Sequence, residues 1–146
     1  MVVVVDANIL ISACLKINGR LANLIFTNTS KINFVIPEFV LLEIKENEAK
    51  IYKSGKITRS EFNQNLLFIL SELIIIKDDE ITDAIFKQSF ELTENIDPKD
   101  TIFITLAISL DALLWTGDLK LLSGLKKKGF NKIITTLDFE QILKGL

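Results

Sequence analysis

Five short stretches of the chain are apolar or β-branched: Val2–Val5, Phe34–Ile36, Leu73–Ile76, Leu113–Thr116 and Lys132–Thr135. Runs of this length between polar residues read as buried strands. The segments between them carry apolar residues at helical spacing. Thr58 to Leu70 opens with Thr58-x-x-Glu61, the pattern of a capping box, and then sets Phe62, Leu66, Ile69 and Leu70 on one stripe. Ile81 to Leu92 repeats the pattern with Ile81, Ala84, Ile85 and Phe90. Asp97 before Pro98 predicts an N-cap and a first helical residue for a helix running to about Leu110. Strands alternating with helices predict an α/β fold, a three-layer α/β/α sandwich with a mostly parallel central sheet and one domain over residues 1–146. In such sheets ligands gather at the carboxyl ends of the strands, near the point where strand order reverses. The strand order itself is not legible in the pattern.

Against that frame a few acids stand out by position. Asp6 ends the first strand after four valines, and Asp118 follows the fourth in Trp115-Thr116-Gly117-Asp118. Asp97 and Asp100 flank the start of the helix that leads into the fourth strand, as its N-cap and third residue. Glu43 lies in the second helical region, about two turns after the second strand. Each has a bland explanation: a helix cap for the aspartates, worth roughly 0.5–2 kcal/mol, and a solvated helix position for Glu43. Caps do not explain why several acids should meet on one rim if the first and fourth strands are neighbours. Like charges that close repel one another unless a proton or a cation intervenes.

Composition narrows what such a cluster could be. There is no histidine among 146 residues, so triads, paired-histidine ribonuclease chemistry and histidine-held zinc are all excluded within this chain. The single cysteine, Cys14, excludes an internal disulfide and fits a reducing compartment. With only two arginines, Arg20 and Arg59, the natural neutraliser of clustered carboxylates is a divalent ion. An all-oxygen set suits Mg²⁺ or Mn²⁺. Such ions lower the pKa of a bound water and brace the leaving oxygen in phosphoryl transfer, which points towards phosphodiester hydrolysis. Apolar residues make up 49% of the chain and its formal net charge is −2, so a folded core is expected and broad attraction to nucleic acid is not. The opening apolar run is too short for a signal peptide and no stretch reaches the roughly 20 apolar residues of a membrane span, so the expectation is a soluble, cytoplasmic protein with no membrane partner.

At these acids the sequence resembles the PIN-domain nucleases, the family that includes VapC-like toxins of toxin–antitoxin pairs. The likeness is an ordered set of four blocks: Val3-Val4-Val5-Asp6-Ala7-Asn8, Pro37 through Glu43, Asp97-Pro98-Lys99-Asp100, and Trp115-Thr116-Gly117-Asp118 with Leu121-Leu122. The resemblance implies a Mg²⁺- or Mn²⁺-dependent endoribonuclease leaving 5′-phosphates. Asp6, Glu43, Asp100 and Asp118 would be its catalytic, metal-holding acids, with Asp97 a further ligand or supporting acid. Asn8 and Thr116 match positions that support those acids by hydrogen bonds. RNA is the implied substrate, and an antitoxin the implied partner. Lysines around the cleft are the expected phosphate contacts: Lys126, Lys127 and Lys128, with Lys120 and Lys132 nearby, although a three-lysine run is as readily a solvated surface.

Two other classes share parts of the pattern. A HAD-like phosphohydrolase also opens with an apolar strand ending in Asp, but requires an acid two residues later, where this chain has Asn8. A catalytically inert PIN-fold binding module would keep the fold without its chemistry, yet all four acidic blocks are intact. Trp115 and the ten phenylalanines are expected to be core rather than a surface for stacking bases. A mean hydropathy of +0.36 is high for this size and predicts apolar surface covered by a second copy or an antitoxin. The stretch from Lys45 to Glu94 carries no family motif and is expected to form a clip or partner surface.

Overall fold

Four valines in a row offer no polar side to water, and β1 (Val2–Val5) is accordingly the central strand, with Val3, Val4 and Val5 fully buried. The computed structural model describes residues 1–146. The other strands are β2 (Asn33–Pro37), β3 (Ile74–Ile76), β4 (Leu113–Trp115) and β5 (Ile133–Ile134). They form one sheet in the order β3-β2-β1-β4-β5, and every neighbouring pair is parallel. The chain builds outward from β1 to β2 and β3, then returns to the other side of β1. The order therefore reverses between β1 and β4, whose register pairs Val3 with Leu113 and Val5 with Trp115.

Nine helices flank the sheet: α1 (Ala7–Leu15), α2 (Arg20–Phe26), α3 (Phe39–Glu46), α4 (Glu48–Gly55), α5 (Arg59–Leu70), α6 (Asp83–Thr93), α7 (Thr101–Ser109), α8 (Leu119–Lys127) and α9 (Thr136–Lys144). The result is the expected α/β/α arrangement. Helix α7 lies across β1, β2 and β4 and has Phe103, Ile104, Leu106 and Ala107 buried, which explains its almost uninterrupted apolar sequence. At the centre Trp115, Phe34 and Phe139 pack ring against ring, with Trp115 and Phe139 centroids 4.8 Å apart. The Trp115 indole N–H donates to Thr136 Oγ1. No single helix is long and apolar enough to cross a membrane.

Several local expectations need correction. Thr58 caps α5 by accepting from the Glu61 N–H, but the reciprocal bond is absent; the complete capping box is Thr135 with Asp138, at the start of α9. The helix expected from Pro98 begins as a single 3₁₀ turn, Pro98–Asp100, so Asp100 is the N-cap of α7 rather than a residue within it. Strand β3 is not buried: it is the sheet's edge, and Ile74 and Ile75 are exposed. Within the segment from Lys45 to Glu94, α5 packs on α1 and α2 and β3 extends the sheet, while Leu67, Phe68, Ile74 and Ile75 stay exposed.

Helix α6 departs furthest from its apolar pattern. It buries Ser89 and Thr93 and leaves Phe86 and Phe90 exposed. Small side chains let α6 and α7 approach closely, and their hydroxyls are satisfied inside the contact. Ser89 donates to the Ile85 carbonyl, and the Thr93 and Thr101 hydroxyls meet at 2.7 Å. Phe39 and Phe68 are exposed as well, so the phenylalanines are not uniformly core.

Candidate active site

The acids come from four separate places at the carboxyl edge of the sheet. Asp6 directly follows β1, where its N–H donates to the Trp115 carbonyl of β4. Asp118 caps α8 three residues beyond β4, and its Oδ1 accepts from the Leu121 N–H at 3.0 Å. Glu43 projects from α3, the helix after β2. Asp97 and Asp100 bracket the 3₁₀ turn before α7, with Asp97 Oδ1 accepting from the Lys99 N–H. The caps anticipated as the bland explanation are thus present for Asp6, at the start of α1, as well as for Asp118 and Asp97, and they coexist with the clustering.

Asp6 is the most deeply placed, at 2% exposure. Its Oδ1 accepts from the Ala7 N–H at 2.7 Å and its Oδ2 from the Thr116 hydroxyl at 2.6 Å. Thr116 Oγ1 in turn accepts from the Asp118 N–H at 3.0 Å. One hydroxyl therefore ties the two aspartates across the β1–β4 seam. Asn8 completes the brace: its amide nitrogen lies 3.4 Å from Asp6 Oδ2, and its Oδ1 accepts from the Gly117 N–H at 3.0 Å. Asn8 is spent on this network as an amide and offers no acid at the position a HAD-like enzyme needs.

Charge confirms the proximity. Burial first, then the charges of Asp6, Asp97, Asp118 and Glu43, pushes the Asp100 carboxyl up to about 7. Burial also raises Glu43, with Asp6 and Asp97 adding to the shift and Lys99 opposing it. Asp6 is raised by burial, and the bonds from Thr116 and Ala7 only partly offset this. Glu43 Oε1 is buried with no hydrogen-bond partner. No three of these carboxylates form a ready-made chelate. The donor set still fits a hard divalent cation, being all oxygen and including an orphaned buried acceptor, Glu43 Oε1.

The lysines separate into two groups. Lys126 and Lys127 occupy the last turn of α8, about 13 Å along a nine-residue helix from Asp118. Lys128 Nζ donates to the Leu92 carbonyl at 2.9 Å, closing the end of α6. Lys132 pairs with Asp111, at the amino ends of β4 and β5. Those four belong to the rim opposite the acids, for the simple reason that α8 runs away from the site. Lys120, in the first turn of α8, stays beside it. The cation that sequence reasoning passed over is Lys99, which lowers Glu43 and lines a cavity of about 360 Å³ next to it. Its only signal was its place between two acids in Asp-Pro-Lys-Asp. Gly124 lies within α8, where a Cβ would come within 2.6 Å of Ile96.

A PIN-domain family model matches residues 4–138, which spans all four acidic blocks. The chain belongs to the PIN-domain family. Its fold is similar to PAE2754 from Pyrobaculum aerophilum, at 17% identity and a TM-score of 0.69 over 100% of both chains. It is also similar to a chain of VapBC2 from Rickettsia felis, solved bound to a DNA fragment from its promoter, at 20% identity and a TM-score of 0.60 over 92% of this chain and 97% of that one. No curated protein matches the sequence. The resemblance carried by four short blocks thus extends to the architecture of this PIN domain as a whole.

Proposed function

We propose that this PIN domain is a Mg²⁺- or Mn²⁺-dependent endoribonuclease that acts as the toxin of a toxin–antitoxin pair. The reading is supported by five carboxylates from four chain segments that lie near the carboxyl ends of β1 and β4, where burial first and then their mutual repulsion pushes the Asp100 carboxyl up to about 7. A fold does not accumulate such a cost for packing, since isolated caps would serve α7 and α8 as well. Asp6, Glu43, Asp100 and Asp118 would hold the cation, with Asp97 at its margin. A bound divalent ion supplies the charge that lets these acids ionise together and acidifies water for attack on phosphorus.

The chain's own residues do the rest. Thr116 and Asn8 fix the Asp6 carboxylate so that its oxygens do not swing away from the seam. Lys99 and Lys120 supply positive charge on either side of the acids for the flanking phosphates, in place of Lys126, Lys127, Lys128 and Lys132. PIN domains are generally nucleases, and the likeness to the VapBC2 chain supports an antitoxin partner. Exposed Leu67 and Phe68 on α5, with Ile74 and Ile75 on β3, offer apolar surface for a second copy.

The test is direct. Purified protein is incubated with structured RNAs in Mg²⁺, Mn²⁺ or EDTA, beside Asp6→Asn and Asp118→Asn. Cleavage should require the cation and vanish in both variants. Cleavage that survives EDTA or both substitutions overturns the assignment, and equal Mn²⁺ binding by wild type and Asp6→Asn in calorimetry favours the inert module.

A further inference from the structure

The cavity beside Glu43 is larger and less polar than a metal ion or a phosphate needs. At about 360 Å³ it has two aromatic rings in its walls, Phe39 at the start of α3 and Phe86 in the middle of α6. Both rings are left 39% and 41% exposed, and Ile102 and Pro98 line the space with them. Its charged lining is mainly acidic, Glu43, Glu46 and Asp78 against the single cation Lys99, with the neutral Asn47 and Thr101 beside them. An anionic group is repelled by that lining. A flat, neutral group with hydrogen-bond donors along one edge fits it, with its faces on the rings and its donors on the carboxylates.

We propose that this cavity is a base slot that holds guanine from the nucleotide next to the scissile phosphate. The inference rests on the nuclease reading above, because Glu43 is shared between the slot and the acid cluster. Guanine is the base whose edge matches. Its ring N–H and neighbouring amino group are parallel donors that reach both oxygens of one carboxylate. Adenine and cytosine set their amino group beside an acceptor, and uracil places its one N–H between two carbonyls that a carboxylate repels. Glu46 and Asp78 are the edge readers, and Phe39 and Phe86 the stacking surfaces. Stacking tolerates any base, so affinity and selectivity fall to different residues.

The experiment separates slot from chemistry by using the cleavage-dead Asp6→Asn protein in Mg²⁺. Binding of the 5′-monophosphates of guanosine, adenosine, cytidine and uridine, and of ribose 5-phosphate, is measured by titration. Guanosine monophosphate should bind tightest, and ribose 5-phosphate at least about tenfold more weakly. Adding Phe39→Leu or Phe86→Leu should cost about tenfold for every base, while Glu46→Gln or Asp78→Asn should erase the preference for guanine. In the active protein, RNA hairpins that differ only in the bases flanking the cut should follow the same ranking in kcat/KM. Ribose 5-phosphate binding as tightly as the nucleotides, indifference to both phenylalanine variants, or a preference for another base each overturn the proposal. Absence of cleavage with any cation, alongside guanine-selective binding that depends on the phenylalanines, overturns the nuclease reading and leaves the slot standing.

Discussion

The Thr116 hydroxyl donates to Asp6 Oδ2 at 2.6 Å and accepts from the Asp118 N–H at 3.0 Å, so one side chain sets the spacing of two acids that lie far apart in sequence. Removing the hydroxyl while keeping the volume, in Thr116→Val, leaves a buried carboxylate oxygen without its main donor. The expected cost is about 1–3 kcal/mol in denaturant unfolding. Loss of orientation at the acids should lower cleavage by about 10–100-fold, the range seen when a group supporting a metal ligand is removed. Thr116→Ser should recover most of both. A valine variant as active as wild type would show that the bridge does not position Asp6.

Asp100 gives the metal-free protein an unusual pH response. Its carboxyl ionises near pH 4 in the unfolded chain and at about 7 in the fold. Between those values the folded state binds the extra proton, so stability should fall as pH rises through that window and level off above it. The full shift corresponds to about 4 kcal/mol, and solvent screening at this partly exposed group reduces it to about 1–2 kcal/mol. For a chain of this size that is roughly 3–6 °C in Tm. Burial raises Asp6 and Glu43 in the same direction. Thermal melts in EDTA should therefore show a higher Tm at pH 5 than at pH 8, and Asp100→Asn should flatten the difference. Mg²⁺ or Mn²⁺ should raise Tm more at pH 8 than at pH 5, since protons compete for the same oxygens.

The lysines make a contrast that salt dependence can read. Lys99→Gln and Lys120→Gln should each lower the slope of log K against log salt for RNA binding by about one. Lys126→Gln and Lys127→Gln, a helix length away, should leave it unchanged. The opposite outcome would move the RNA path to the far end of α8.

Phe139 packs on both Trp115 and Phe34 and is fully buried. Phe139→Ala should destabilise the protein by about 3–5 kcal/mol. Trp115 is the chain's one tryptophan, so its fluorescence reports the transition directly.

Much of this was legible in the sequence because the strongest signals were local. Four consecutive valines announce a strand buried on both faces, and an aspartate immediately after them marks its carboxyl end. Asp118 announced itself in the same way after β4. What the sequence could not supply was the pairing of β1 with β4, which depends on a contact about 110 residues apart; without it Asp6 and Asp118 are two unrelated caps. The readings that failed were those that took composition for placement. Lys126, Lys127 and Lys128 form a basic run, but the direction of α8 carries them away from the acids. Phe90 looked like part of a core stripe with Ile81, Ala84 and Ile85, whereas α6 packs through Ser89 and Thr93 because a close helix contact favours small side chains. Lys99 and Phe39 were inconspicuous for a different reason: neither belongs to a spacing pattern, and only the cavity between α3 and α6 gives them a shared purpose.

The wide separation of the acids along the chain has a consequence for the making of the protein. A ribosome that has just passed Asp97 has produced Asp6, Glu43 and the loop before α7, but neither β4 nor the aspartate beyond it. The β1 edge that receives Trp115 is then still open, and Asp6 has yet to meet Thr116. A polypeptide that stops short of β4 therefore lacks the quorum of carboxylates, and the cluster is assembled only once β4 has paired with β1.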